Sequence, residues 1–240
     1  MASVLEDELG ATADTAGDIR NGKSTRSTIA LSRIRHLIVT GQLAPGERLV
    51  VSSLADAIEG GQTPVREALM RLVSEGLVTL ENQRGFSVAP VSRRDLEDVT
   101  AARVEIEVLL VRWAIERGDD QWEADVIGAF HKLRKLQKIE ADGESIRSMW
   151  EERHREFHFS LVAKSGNQTL LDVRDMLYQR ADRYRRLSVR YLQAPRDDVK
   201  EHEDMMQAAL SRDVAIATAL IRSHIETTTR ILLAEVPSKD

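Results

Sequence analysis

The 240-residue sequence contains no cysteine and is poor in aromatic residues, glycine and proline. Without cysteine the chain can form neither disulfides nor thiolate zinc sites, so a metal ion would have to be bound by histidine and carboxylate. Aromatic residues make up 4% of the chain, beside 13 glycines and 5 prolines. This composition favours helices over a large sheet.

Long apolar runs are also missing, since none approaches the ~18 residues that span a bilayer. The first ten residues are acidic and lack the apolar centre of a signal peptide, so we expect a cytoplasmic protein without a membrane segment. The net charge is −5, and any binding of nucleic acid therefore has to come from a local basic surface. Hydrophobic residues make up 42% of the chain, which is enough for a folded core.

Residues 1–25 carry five acidic and two basic side chains without apolar periodicity, and predict a disordered tail. Residues 26–91 predict a winged helix-turn-helix, in which three helices precede a β-hairpin. The expected elements are a helix from Ile29 that ends at Gly41, a short helix over 54–58 capped by Ser52-Ser53, a helix capped by Thr63 that has Pro64 at its first position and ends at Gly76, and strands over 77–81 and 86–90.

Residues 92–240 predict an all-α effector domain. Ser92-Arg93-Arg94-Asp95 is a capping-box pattern that opens it, and no strand signal follows. Six helices of this length can close around a core of their own, so the fold class is mainly α, a winged helix-turn-helix joined to a six-helix bundle. The helices are expected near 92–117, 119–140, 144–165, 167–193, 196–211 and 213–235.

The third predicted helix has the composition of a DNA-recognition helix, whose first residues reach base edges in the major groove. Arg66 can pair with guanine or phosphate, Gln62 with adenine, and Arg84 at the hairpin tip can follow the minor groove. The alternative is an ordinary solvated face, because residues 26–91 carry seven arginines against six acids. The candidate DNA-binding residues are Ser52, Gln62, Thr63, Arg66, Arg84 and Gly85.

The string TPVREALMRLVSEGLV over residues 63–78, followed by Arg84-Gly85-Phe86, strongly resembles the GntR family of bacterial transcription regulators. The resemblance covers about residues 28–91 and implies a homodimer that binds a palindromic operator in double-stranded DNA through the candidate residues. One departure precedes the recognition helix, where Glu59-Gly60-Gly61 stands in place of the family's usual Gly-Val-Ser. The apolar plug of the turn and its serine cap are both replaced.

Four of the five histidines in the predicted helical domain lie at positions from which their side chains can converge. Two of them are four residues apart and share one helix face, and a gap of 22 residues between the last two suits an antiparallel helix pair. Imidazoles from three helices suit a divalent cation such as Zn or Ni, whereas the alternative is a set of ordinary core or surface histidines. The four are His154, His158, His202 and His224.

Residues 92–240 resemble the all-helical FCD effector domain of the FadR subgroup, in its VanR-like branch. The resemblance implies a divalent metal bound by three histidines and an aspartate, and His154 stands at the aspartate position. An imidazole in place of a carboxylate favours Zn or Ni, unless His154 is no ligand and water takes its place. The matching pieces are Arg103-Val-Glu-Ile-Glu107, Phe157-His158 with Ser165-Gly166-Asn167, Glu201-His202 and His224-Ile225.

The effector that this resemblance implies is a small carboxylic acid bridging the metal and a cationic side chain. Arg103 and Asn167 are the candidate effector-binding residues. The guanidinium of Arg103 can bind a carboxylate with two hydrogen bonds. The alternative for Arg103 is an ion pair with Glu107, one helical turn later. A further cluster predicts a solvated helix face or an interface with acidic partners, with a second nucleic-acid surface as the alternative. It consists of Arg174, Arg180, Arg183, Arg185, Arg186 and Arg190 with Tyr178, Tyr184 and Tyr191.

The sequence therefore predicts a ligand-responsive transcription regulator, most often a repressor in this family, and not an enzyme. Two alternatives stay open. A histidine cluster that activates water would make a metalloenzyme, although no general base is placed as in known metalloproteases. A purely structural metal in a dimerisation domain is the second alternative.

Overall fold

The computed structural model describes residues 25–81, 84–137, 144–187, 197–234 and 236, and divides between Pro90 and Val91 into two units. All of the predicted tail except Thr25 lies outside the described residues. None of the described helices combines the length and apolarity that crossing a membrane requires.

The described part of the N-terminal unit holds three helices and a three-stranded antiparallel sheet, which confirms the predicted winged helix-turn-helix architecture. The strands are ordered β1-β3-β2, with Ser87 opposite both Arg48 and Thr79. The first strand was not predicted, because two residues give no alternating pattern. The elements are α1 (Arg26–Val39), β1 (Arg48–Leu49), α2 (Val51–Ala57), α3 (Gln62–Ser74), β2 (Val78–Glu81) and β3 (Gly85–Val88).

Helices α1 and α3 pack against each other through apolar faces. Ile34, Ile38, Leu69 and Leu72 have no exposed surface, so the helical spacing of these residues is satisfied by burial on one side. Helix α1 ends where predicted, since Gly41 takes the left-handed conformation (φ 80°) that stops a helix at low steric cost.

The predicted N-caps of α2 and α3 are wrong. Helix α2 begins earlier, because the carbonyl of Val50 already accepts the Leu54 N–H at 3.0 Å and Ser52 lies inside the helix. In α3 the carbonyl of Gly61 accepts the first helical hydrogen bond, and Gly61 supplies no capping side chain. Thr63 and Pro64 are therefore the second and third residues of α3.

The described part of the C-terminal unit contains the six predicted helices, with a short 3-10 turn at Ala163–Ser165. The predicted helix over 144–165 is wrong at its end: it stops at Ser160, and the chain then turns through Gly166 in the left-handed conformation. The predicted ends at 138–140 and 188–193 lie outside the described residues. The helices are α4 (Arg93–Arg117), α5 (Asp120–Gln137), α6 (Glu144–Ser160), α7 (Gln168–Leu187), α8 (Asp198–Leu210) and α9 (Val214–Leu233).

Helix α4 is the axis of this unit, packing along both α7 and α9. Its predicted cap is confirmed, since Ser92 Oγ accepts the Asp95 N–H at 3.0 Å. Tyr184 on α7 holds the same turn: its hydroxyl lies 2.7 Å from Asp95 Oδ2 and 3.2 Å from the Ser92 nitrogen. The start of α4, directly after the boundary between the units, is thus fixed by α7.

Candidate metal centre and DNA-binding face

The four predicted histidines converge in the interior of the helical unit. His154 and His158 come from α6, His202 from α8 and His224 from α9, and each is at most 5% exposed. One ring nitrogen of each lies within 4.8 Å of the others, and the Nε2 atoms of His154 and His158 are 3.2 Å apart. The sequence spacing therefore predicted the convergence of side chains from three helices.

Burial and neighbouring positive charge favour the uncharged form of His154 and His158. Burial lowers the pKa of His154 well below its usual value, and the neighbouring Arg185 lowers it further. Burial also lowers the pKa of His158, with His224 as the next cause. Neutral imidazoles have a lone pair to offer, and this is the protonation state in which histidine binds a metal.

The donor set fits a divalent cation. Zn–N bonds of about 2.0–2.1 Å place tetrahedral ligand nitrogens about 3.3 Å apart, and small side-chain movements can reach this spacing from the present spread of at most 4.8 Å. His224 is also oriented as metal-binding histidines usually are, because its Nδ1 lies 3.0 Å from a carboxylate oxygen of Glu201. A set of nitrogen donors suits Zn and Ni better than Mg or Ca.

Two buried guanidinium groups lie beside the histidines and share one carboxylate. Glu107 Oε1 lies 3.0 Å from Arg174 Nε and 3.5 Å from Arg103 Nε. Both guanidinium groups also stack on the ring of Tyr178, with their central carbons 4.7 and 4.9 Å from its centroid. Two cations on a single carboxylate leave an excess of buried positive charge.

The terminal nitrogens of Arg174 are further evidence for uncompensated positive charge at this place. Arg174 is 1% exposed, and neither Nη1 nor Nη2 has a hydrogen-bond partner among the described residues. Burial is the largest influence on Arg103 and lowers its pKa, while Glu107 raises it. A buried guanidinium fork without a partner is costly, and an anion would satisfy it.

A small cavity of about 20 Å³ lies between the histidines and the N-terminal half of α4. This space holds about one water molecule, so a carboxylic acid requires side chains to move. The lining comes from α4, α6, α7 and α9 and includes His154, His224, Arg103, Tyr178, Leu96 and Leu232.

The second predicted effector residue lies elsewhere. Asn167 Oδ1 accepts the Leu170 N–H at 3.1 Å and so caps α7, and Asn167 is not among the residues that line the cavity. This contact explains Asn167 as a helix cap.

Of the two predictions for the arginine cluster on α7, the solvated face is wrong for three members, since Arg174, Arg183 and Arg185 are at most 4% exposed. Arg185 Nη1 lies 2.8 Å from His154 Nδ1, so this residue belongs to the site and was missed as such. Positions 174, 178, 182 and 185 share one helix face, which was the available signal. Arg190 and Tyr191 lie outside the described residues.

The N-terminal unit presents its candidate DNA-binding residues at the surface. Gln62, Thr63 and Arg66 are exposed on the first turns of α3, and Ser52 is exposed on α2. At the hairpin Arg84 is exposed, 3.2 Å from Glu81, and Gly85 has a φ of 81°. This is the arrangement of a recognition helix with an adjoining wing.

Comparison with known proteins agrees with both units. Residues 27–88 match the model of the gntR family of bacterial regulatory proteins, and residues 98–227 match the FCD domain. The HTH-type transcriptional repressor GlaR of Escherichia coli (strain K12) is 39% identical over 198 residues, 81% of this chain and 90% of that protein. The uncharacterized HTH-type transcriptional regulator BphR of Paraburkholderia xenovorans (strain LB400) is 35% identical over 201 residues, 83% of this chain and 82% of that protein. The structure of E. coli McbR/YncC shares the fold, with a TM-score of 0.74 at 22% identity over 89% of this chain and 99% of that one.

Proposed function

The chain belongs to the GntR family of bacterial regulatory proteins and carries an FCD domain, and on this premise we propose that it is a repressor released from its operator by a small carboxylic acid. As a member of this family it is a DNA-binding transcription regulator rather than an enzyme. In our proposal the acid binds in the helical unit beside a divalent metal ion, Zn or Ni by preference.

The observation that carries this proposal is a cluster of four buried imidazoles next to an excess of buried positive charge. His158, His202 and His224 would hold the ion, with His154 as the fourth candidate. The ion, when bound, supplies a Lewis-acidic position for one carboxylate oxygen. Arg103 lines the cavity and Arg174 has an unsatisfied fork, so these two residues can hold the other oxygen.

In our proposal the effector signal passes from this site to the start of the helical unit through α4 and α7. The cavity is lined by Leu96 and Leu232, and both pack against Tyr184, which holds the first turn of α4. Side chains that move to admit an acid therefore act on the turn that follows the DNA-binding unit. In a homodimer such a shift changes the population of states whose two heads match two half-sites of a palindrome.

The test uses DNA selected from a random pool by the purified, untagged, Zn-loaded protein. Acetate, lactate, succinate and citrate are titrated separately against the protein–DNA complex. A coupling free energy of about 1–3 kcal/mol predicts that one of these acids weakens DNA binding by about 5–150-fold. Arg103→Gln should abolish the response, whereas Arg112→Gln, an exposed position on the same helix, should respond as the wild type does.

Two results would contradict the proposal. The first is an unchanged DNA affinity when calorimetry shows that the acid is bound. The second is an acid response that survives complete removal of the ion by EDTA while the helical unit stays folded, since the ion would then play no part in effector binding.

A further inference from the structure

We propose, on the premise that the helical unit binds a divalent ion as above, that the ion has three protein ligands and that His154 acts beside them as a hydrogen-bond donor to the bound acid or water. The three ligands are His158, His202 and His224. His154 is then a positioning residue, and the metal keeps an open place for an exogenous oxygen.

The contact between His154 and Arg185 carries this inference. Arg185 Nη1 lies 2.8 Å from His154 Nδ1, and a guanidinium has donors only. Nδ1 therefore accepts a hydrogen bond and carries no proton. The hydroxyl of Tyr178, 3.0 Å from the same nitrogen, can donate to it as well.

The proton of the neutral ring must then sit on Nε2. A protonated ring nitrogen has no lone pair for a metal, and the lone pair of Nδ1 is already directed at Arg185. Neither nitrogen of His154 is therefore available as a ligand while Arg185 stays in place.

Arg185 is held firmly in this position. It is 4% exposed and forms ion pairs with Glu151 and Asp182, both of which are buried too. Moving it away from His154 would disturb a buried network of opposite charges, and such networks are costly to break.

His224 shows the opposite arrangement and serves as an internal comparison. Its Nδ1 lies 3.0 Å from a Glu201 carboxylate oxygen, so Nδ1 donates and the lone pair of the ring is on Nε2, the nitrogen that would bind a metal. The same ring type thus has a carboxylate partner in one place and a guanidinium partner in the other. The partner decides which histidine can be a ligand.

The Nε2–H of His154 is directed into the cluster. Its Nε2 lies 3.2 Å from His158 Nε2, and His154 also lines the cavity. In this arrangement the acceptor is the lone pair of His158 Nε2. When that lone pair binds the ion, an oxygen bound among the histidines can accept the hydrogen bond instead, which adds a donor to the anion-binding groups Arg103 and Arg174.

The first test measures Zn²⁺ affinity by competition with a chromophoric chelator, using full-length protein. We expect His154→Gln to weaken Zn²⁺ binding by less than about tenfold, the lower end of what a neighbour of a metal ligand contributes. His158→Gln should weaken it by at least about 100-fold, because a ligand is lost. His131→Gln, an exposed histidine on α5, is the control for surface binding and should match the wild type.

The second test needs no substitution in the cluster. In Zn-loaded protein with ¹⁵N-labelled histidine, NMR should show His154 protonated on Nε2 and bare on Nδ1, and His224 protonated on Nδ1. A proton on His154 Nδ1, or a loss in His154→Gln equal to that in His158→Gln, overturns the three-ligand assignment but leaves the proposed effector response intact. Failure of the wild type to bind Zn²⁺ overturns both.

Discussion

The two units of the chain differ in what they bury. Fourteen polar or charged residues of the described chain are buried, and all of them lie in the helical unit. The described core of the DNA-binding unit is apolar, and most of its arginines are at the surface. An apolar core needs only close packing. In a buried polar centre each polar group also needs a hydrogen-bond or charge partner. The DNA-binding unit thus carries its functional side chains on the surface, whereas the helical unit buries them.

The largest expected effect that separates the units is the loss of Glu107. Glu107→Gln removes the carboxylate shared by Arg103 and Arg174, and leaves two buried cations without compensation. Breaking a buried ion pair in this way costs about 3–5 kcal/mol. We expect the helical unit to unfold at a markedly lower urea concentration, followed by circular dichroism.

The matched control lies two residues away on the same helix. Glu105 pairs with Arg222 at the surface, its side chain is 71% exposed, and such pairs contribute about 0–1 kcal/mol. Glu105→Gln should therefore shift the transition little. Equal transitions for the two variants would show that Glu107 does not compensate the guanidinium pair.

The converse prediction concerns the DNA-binding unit, where a charge can be removed without cost to folding. Arg66 is exposed on α3, so Arg66→Ala should change stability by less than about 0.5 kcal/mol. A contact of an arginine with a base edge contributes about 1–3 kcal/mol, so binding to the selected DNA should weaken by about 5–150-fold. Fluorescence anisotropy measures this loss.

Arg71→Ala serves as the control, because Arg71 is exposed in the last turn of the same helix. It should alter DNA binding far less than Arg66→Ala. Full DNA affinity in Arg66→Ala would mean that another element reads the operator.

The same difference between the units explains what could be predicted from the sequence. In the DNA-binding unit the information is local: apolar spacing, glycine stops and the hairpin pattern act over a few residues. The histidine cluster was also predictable, since His154 and His158 are one helical turn apart. Its electrostatic partners were not, because Glu107 and Arg174 are 67 residues apart, and no local pattern distinguishes a buried arginine from a solvated one.

The second limit of the sequence is visible in helix starts. Thr63 followed by Pro64 is a typical cap and first position, yet α3 begins at Gln62. The carbonyl of Gly61 accepts the Val65 N–H at 3.2 Å, so backbone packing rather than the strongest capping residue fixes the start. Capping preferences of about 1 kcal/mol are small enough for tertiary packing to override.

The smallest expected effect concerns the N-terminus of α3, and it stabilises the DNA-binding unit instead of weakening it. Gly61 has a φ of −83°, and a Cβ there would meet Pro64 Cδ at 3.4 Å, an ordinary contact, so Gly61→Ser fits the backbone. The serine hydroxyl can accept only the Thr63 N–H, because proline at the third helical position has none. The added cap and the reduced freedom of the unfolded chain should together stabilise the unit by about 0.5–1 kcal/mol, seen as slower hydrogen exchange in α3. Thr63→Ala should change that exchange by less than about 0.5 kcal/mol. If Thr63→Ala instead weakens protection more than Gly61→Ser strengthens it, the helix in solution is capped by Thr63 and begins at Pro64, as the sequence pattern alone predicted.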